Sequence, residues 1–60
     1  MYVIWRNMLC KLLDSIRGSL FADYQRLYPT KKVNIEVCDT KEVVEVELKD
    51  VVDHSVFRNT

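Results

Sequence analysis

The sequence predicts an α+β domain in which one long N-terminal amphipathic helix packs on an antiparallel β-hairpin or a three-stranded meander. Two observations lead to this fold class. Apolar residues recur every three or four positions in the first half of the chain, and they alternate with polar residues in the second half. Pro29 separates the two patterns. With 60 residues the chain is long enough for one domain, so we assign residues 1–60 to a single unit.

The helix is expected to cover about residues 3–28. At intervals of about 100° per residue, one stripe collects apolar side chains at steps of three or four, namely Leu9, Leu12, Leu13, Ile16, Leu20, Tyr24 and Leu27. Pro29 ends the helix, because the residue before a proline is pushed out of the α region. Gly18 and Ser19 could split the segment into two capped helices. The stripe keeps its register across the glycine, which favours one continuous helix.

The first residues, MYVIW, fit two interpretations. Continued backwards, the helix places Tyr2 and Trp5 on the apolar stripe. Alternatively, the β-branched and aromatic run is a short strand, and Asn7 caps a helix that begins at Met8. We favour the helix.

After the proline, the hydrophobic period changes to two. The apolar residues of two runs alternate with polar ones: Val33, Ile35 and Val37 in the first, then Val44, Val46 and Leu48 in the second. This pattern predicts strands at about 32–39 and 42–50 with a turn near residues 39–41. The alternation fails at Val51 and Val52, which suits a strand end or a bulge. A further short strand at 55–58 would complete the meander.

The predicted core joins the helix stripe to the inner face of the hairpin. Its members are Leu9, Leu13, Ile16, Leu20 and Leu27 from the helix and Val33, Ile35, Val37, Val44, Val46 and Leu48 from the strands. The apolar arc of the helix spans nearer 180° than the roughly 100° of an ordinary surface helix. Part of it should therefore stay uncovered and bind a partner. The predicted partner-binding residues are Val3, Trp5, Phe21, Tyr24 and Tyr28.

Residues that could carry chemistry have simpler interpretations. His54 lies between Asp53 and Ser55, but neighbours on a strand point to opposite faces and cannot form a hydrogen-bonded relay. Cys10 and Cys38 are expected to be small apolar fillers with free thiols. The alternating carboxylates, which are Glu36, Glu45 and Glu47, are interpreted as the solvent face of the sheet. No catalytic, cofactor-binding or metal site is predicted, and the chain is not expected to be an enzyme.

Charge and hydropathy limit the partner classes. Nine basic and nine acidic residues give a net charge of zero, which disfavours a main role in neutralising nucleic-acid phosphates. The cluster of Lys31 and Lys32 with Arg26, Tyr24 and Tyr28 keeps single-stranded nucleic acid as an alternative. No apolar run reaches the roughly 20 residues of a membrane span, and the N-terminal residues are not expected to be a secretion signal. A cytoplasmic location without a membrane anchor is expected, although Trp5 on a basic helix could dock on a membrane surface.

A helix followed by KKVNIEVCDTKEVVEVELKDVVDH resembles the opening of an Sm-like domain. The resemblance covers about half the chain and consists of the alternation and an acidic turn. It implies an N-terminal helix ahead of a strongly bent antiparallel sheet and an RNA-binding function, and it assigns no site residues here.

The expected function is therefore that of a small protein-binding module, such as an inhibitor, adaptor or assembly factor. A chain of this length buries only about 60 % of its unfolded surface, so its core is marginal. Surplus apolar surface on the helix and open sheet edges favour association, most simply as a homodimer. An Sm-like or other small RNA-binding domain is the alternative.

Overall fold

The computed structural model of the chain describes residues 1–16 and 20–54, and these form one five-stranded antiparallel sheet with a single short α-helix. The strands are β1 (Tyr2–Trp5), β2 (Met8–Leu12), β3 (Lys32–Val37), β4 (Val43–Glu47) and β5 (Val52–Asp53). The helix α1 (Phe21–Leu27) lies between β2 and β3, and a 3-10 helix (Leu48–Asp50) precedes β5. The strand order is β4-β3-β2-β1-β5.

The predicted long N-terminal helix is wrong. Residues that were assigned to its first half form the β1–β2 hairpin, in which Val3 pairs with Cys10 and Trp5 with Met8. Arg6 and Asn7 make the turn, both with positive φ, at 50° and 63°. Positive φ at both central residues matches the twist of the flanking strands and closes a two-residue hairpin. Of the two interpretations of MYVIW, the strand was right, but it leads into a second strand and not into a helix.

The helix that does form is seven residues long. It begins after Leu20, without a side-chain cap, and ends at Leu27. Tyr28 has left the α region at φ −130° and ψ 62°, as the following Pro29 requires. The question of continuity through Gly18 and the strand predicted at 55–58 both lie outside the described residues.

The hairpin expected in the second half corresponds to β3 and β4, which pair from Lys32 opposite Glu47 to Glu36 opposite Val43. The chain then differs from the prediction. Leu48–Asp50 turns as a 3-10 helix, and Val52 and Asp53 pair with β1 at the far side of the sheet. The irregularity at Val51 and Val52 is thus a change of strand and not a bulge.

The short connection between β4 and β5 shows that the sheet is curled. Four interstrand spacings would separate these two edge strands by about 19 Å in a flat sheet. The connection holds only the 3-10 helix and Val51, and a 3-10 helix rises about 2 Å per residue. Since so short a segment cannot cross a flat sheet of this width, the two edges bend toward each other around the core.

The core fills the concave side of this sheet. Its buried members are Val3, Cys10, Leu12, Phe21, Val33, Ile35, Val37, Val46, Leu48 and Val51. The strand half of the predicted core is present, except that Val44 is half-buried. The helix half is wrong: Leu9, Leu13, Leu20 and Leu27 are exposed, and Ile16 only packs against the core edge. Phe21 is the one buried residue that α1 contributes.

Candidate protein-binding surfaces

The five residues predicted to bind a partner do not form one surface. Val3 and Phe21 are 0 % and 1 % exposed, so they belong to the core and are not available to a partner. Trp5 is half-buried at the β1–β2 turn, where the Arg6 guanidinium lies 4.7 Å from its ring centroid. Only Tyr24 and Tyr28 are exposed and adjacent. Their ring centroids are 5.6 Å apart, and the ring planes are tilted by 48°.

These two tyrosines are part of an exposed apolar stripe along α1 and its two capping residues, Leu20 and Tyr28. At about 100° per residue, four side chains fall within an arc of about 100°. They are Leu20, Tyr24, Leu27 and Tyr28, with exposed fractions of 45 %, 38 %, 66 % and 54 %. We call this set the α1 stripe. It lies beside the core-facing side of the helix, where Phe21 is buried, and gives the helix two apolar sides.

The polar side of α1 keeps its charges away from the stripe. Arg26 donates to the Asp23 carboxylate at 2.8 Å, and both side chains are more than half exposed. Such a surface pair contributes little to stability. Each of these two charges has its partner on the same helix. The α1 stripe itself contains no charged residue.

Gln25 fixes the position of α1 against the sheet. Its side-chain amide donates to the carbonyl oxygens of Leu48 and Val51, both at 2.6 Å. The Lys49 amide donates to the Pro29 carbonyl at 2.9 Å. These bonds tie the helix and the turn after it to the 3-10 helix, so the stripe is presented on a supported element.

The free edge of β4 is a second unpartnered feature. The Val37 amide donates to the Glu42 carbonyl at 2.8 Å, so Val37 faces β4. Backbone groups of a strand alternate in direction, which makes Ile35 and Val33 the next residues facing β4. Their partners across the ladder are Val44 and Val46. The remaining β4 residues, which are Val43, Glu45 and Glu47, therefore direct their amide and carbonyl groups outward.

Among these outward groups, the Glu47 carbonyl accepts the first hydrogen bond of the 3-10 helix, which Glu47 caps. The other five have no backbone partner among the described residues. The same three residues also place their side chains on the convex face of the sheet, opposite the core. Val43 is 57 % exposed, and Glu45 is also exposed. Glu47 is half-buried, and its Oε1 atom lies 3.5 Å from Lys49 Nζ. The ladder partner of Glu45 is the uncharged Asn34, so Glu45 has no base opposite it. We call Val43, Glu45 and Glu47 the β4 edge.

The remaining candidate chemistry is dispersed. The His54 amide donates to the Tyr2 carbonyl at 3.1 Å, which places His54 beside β1, while Ser55 lies outside the described residues. Both cysteines are free. Burial raises the pKa of the Cys10 thiol, and the nearby Cys38 raises it further. Among residues 1–16 and 20–54 no group of three or more potential ligands could hold a metal ion.

The sequence pattern missed two features of these surfaces. Leu20 and Leu27 were placed in the core because they share the helical period, yet a seven-residue helix buries only Phe21 completely. The outward direction of the β4 backbone was also missed. The alternation of Val44 and Val46 with Glu45 and Glu47 identified the strand, but strand order is what makes it an edge.

In the described part of the chain, no helix has the length and apolar character that crossing a membrane requires. No protein-family model, curated protein or solved structure gives a significant match to this chain.

Proposed function

We propose that this chain is a small non-enzymatic protein-binding module, of the inhibitor, adaptor or assembly-factor kind, that works as a homodimer. The α1 stripe carries the proposal. Four large apolar side chains at helical spacing stay exposed although the helix is fixed by Phe21 and Gln25. An exposed and supported apolar patch of this kind marks interaction surfaces in other proteins.

The area of the α1 stripe suits one side of a protein interface. Its four exposed fractions together equal about two complete large side chains, on the order of 400 Å² of apolar surface. A standard interface buries about 800 Å² per partner, of which about 60 % is apolar. The stripe therefore supplies most of the apolar area that a standard interface needs, and the residues around it would supply the polar remainder.

A second copy of this chain fits the stripe by symmetry and charge. In an antiparallel two-fold arrangement centred on Tyr24, Leu20 of one copy faces Tyr28 of the other. Asp23 then lies within about one residue step of Arg26 in the second helix, so opposite charges flank the contact. The net charge of zero leaves no overall repulsion between copies.

Sedimentation equilibrium tests the dimer. We expect a species of twice 7.1 kDa that dissociates on dilution, with a melting temperature that rises with concentration. The variant Leu27→Glu should be monomeric because it places a charge at the most exposed residue of the stripe. Val43→Glu is the matched control, since Val43 is similarly exposed but lies on β4. A 7.1 kDa species up to about 1 mM would overturn the dimer, and equal dissociation of both variants would overturn its assignment to the α1 stripe.

Two further parts of the proposal rest on composition. Two free thiols in a small chain are typical of a reducing compartment, which supports a cytoplasmic location. The nucleic-acid alternative has exposed Tyr24, Tyr28 and Lys31 in its favour, but Lys32 pairs across the ladder with Glu47. Retention of single-stranded RNA that weakens steeply with salt, in place of self-association, would favour that alternative.

A further inference from the structure

We propose that the β4 edge binds an extended segment of another protein, which pairs antiparallel with β4 and carries basic residues opposite Glu45 and Glu47. This inference rests on the proposed protein-binding function but uses a different surface from the α1 stripe. It identifies the partner by chemistry: a strand with two basic side chains two positions apart.

The backbone of β4 is arranged to accept a strand. Val43, Glu45 and Glu47 offer three amide donors along one line, and Val43 and Glu45 add two carbonyl acceptors; none of these five groups has a backbone partner among the described residues. The Glu47 carbonyl already accepts the first hydrogen bond of the 3-10 helix, which Glu47 caps. Addition of a strand to such an edge is a recurrent mode of peptide recognition, in which main-chain hydrogen bonds supply affinity and side chains supply specificity. β4 is five residues long, so a segment of about five residues would pair along its whole length.

The side chains of the β4 edge determine which segment fits. Directly opposite residues in an antiparallel pair lie on the same face, so the incoming strand would place side chains next to Glu45 and Glu47 on the convex face. A basic residue opposite Glu45 meets a carboxylate that has no base on its other side. A basic residue opposite Glu47 adds to the Lys49 and Lys32 that already lie beside that carboxylate. Val43, which is 57 % exposed, and half-buried Val44 favour apolar partners.

The same charges exclude a second copy of this chain from the edge. A two-fold pairing of β4 with β4 centred on Glu45 would place that residue opposite its own copy, and like charges directly opposite destabilise a sheet. The β5 edge is no better, since β5 is only two residues long. Charged residues on edge strands normally prevent self-pairing. Here they would also select a basic partner.

The direction of β4 gives a definite probe. An antiparallel segment would read basic, apolar, basic, apolar, apolar from its N-terminus, since it runs from Glu47 back to Val43. The probe is a fluorescently labelled, end-capped peptide with the sequence Gly-Lys-Val-Lys-Val-Val-Gly, titrated with the full chain by fluorescence anisotropy. We expect saturable binding that weakens several-fold between low and high salt, because exposed charges are screened.

Backbone methylation separates strand addition from charge attraction. Methylating both lysine amides of the probe blocks the groups that would face β4, and should weaken binding by about tenfold or more. Methylating the amides of the first two valines blocks groups that point away from β4, and should change affinity far less. Equal binding by both methylated peptides would mean simple charge attraction and would overturn the inference.

Variants of the chain locate the binding site. Glu45→Lys should weaken probe binding by about tenfold, since it replaces an attraction with a repulsion. It should also create affinity for the matched peptide in which glutamate replaces lysine. Asp39→Lys is the control for charge, because Asp39 is exposed in the β3–β4 turn and off the strand. Equal losses in the two variants would overturn the assignment to β4.

Sedimentation of the same samples keeps this test apart from the test of the dimer. The monomeric variant Leu27→Glu should bind the probe as the parent chain does, because α1 and β4 are separate surfaces. Probe binding by a chain that never dimerises would support this inference and contradict only the dimer. A dimer that fails to bind the probe would overturn this inference and leave the dimer standing.

Discussion

The two hairpins of the sheet have the same architecture but very different sequences. In β3–β4 the inner face is apolar, with Val33, Ile35 and Val46, while the outer face carries Glu45 and Lys32. In β1–β2 the inner face is again apolar, with Val3, Cys10 and Leu12 buried. Its outer face, however, holds Ile4 and Leu9, which pair across the ladder.

This difference explains why one hairpin was predicted and the other was not. A period of two is visible only when the two faces of a strand differ in polarity. With apolar residues on both faces, the positions of Leu9, Leu12 and Leu13 fit a helix as well as a strand. The Arg6–Asn7 turn contains no glycine or proline, so no strong turn signal corrected the interpretation.

The largest expected effect separates the two interpretations of the first hairpin. Leu12 is 6 % exposed and Leu9 is 41 % exposed, whereas the helix would have placed both on its apolar stripe. Leu12→Ala should lower the free energy of unfolding by about 2–5 kcal/mol, and Leu9→Ala by less than about 1 kcal/mol. Urea denaturation followed by Trp5 fluorescence measures both. Ile35→Ala in the second hairpin should match Leu12→Ala, and equal losses at Leu9 and Leu12 would contradict the strand.

The two cysteines should differ in how they make the free energy of unfolding depend on pH, and this effect is expected to be of intermediate size. Burial raises the pKa of Cys10 in the folded chain, so the thiolate is favoured in the unfolded chain. The contribution to stability is complete below the ordinary cysteine pKa of about 8.5 and is lost as pH rises through the folded pKa. Unfolding free energies at about pH 8 and pH 10 should therefore fall less in Cys10→Ala than in the parent chain.

Cys38→Ala is the control for that comparison. Cys38 is half-buried and acts on Cys10 only as the smaller cause of the raised pKa. The variant Cys38→Ala should therefore keep most of the loss of unfolding free energy at high pH. An unchanged decline in Cys10→Ala would show that other groups produce the pH dependence.

The smallest expected effect concerns the turns. Lys41 in the β3–β4 turn has φ 63°, the same value as Asn7 in the β1–β2 turn. Asparagine tolerates this region better than lysine. Lys41→Gly should therefore stabilise the chain by about 0.5–1 kcal/mol, while Asn7→Gly should change stability by less than about 0.5 kcal/mol.

Lys41→Ala tests whether the gain comes from the backbone. It removes the lysine side chain but keeps the Cβ atom, so it should not stabilise. Thermal melting of the three variants is sufficient to rank them. A gain in Lys41→Ala equal to that in Lys41→Gly would assign the effect to the side chain instead.

The sequence predicted the parts of the fold that depend on local contrast. Polar residues between Val33, Ile35 and Val37 revealed β3, and Pro29 marked the end of the helix. The β1–β5 pairing was not predictable in this way, since Val3 and Asp53 meet only after the intervening sheet has curled. Strand order of this kind depends on the whole chain and leaves no periodic signal in either short strand.

The candidate binding residues were likewise predicted only in part. Tyr24 and Tyr28 were predicted to face a partner, and the structure leaves both exposed on the α1 stripe. Val3 and Phe21 were placed beside them only because the wrong helix extended the apolar arc. Leu20 and Leu27 were predicted to be buried because of the same wrong helix. The error about the first hairpin therefore changed the predicted exposure of residues around α1.

The curled sheet also implies an order of assembly. β1–β2 and β3–β4 are closed by short turns, so each can form with little loss of loop entropy. The β1–β5 ladder joins the start of the described chain to its end and, among the described residues, adds only two residue pairs. This ladder should therefore form after the two hairpins, and it should be the first part of the sheet to open.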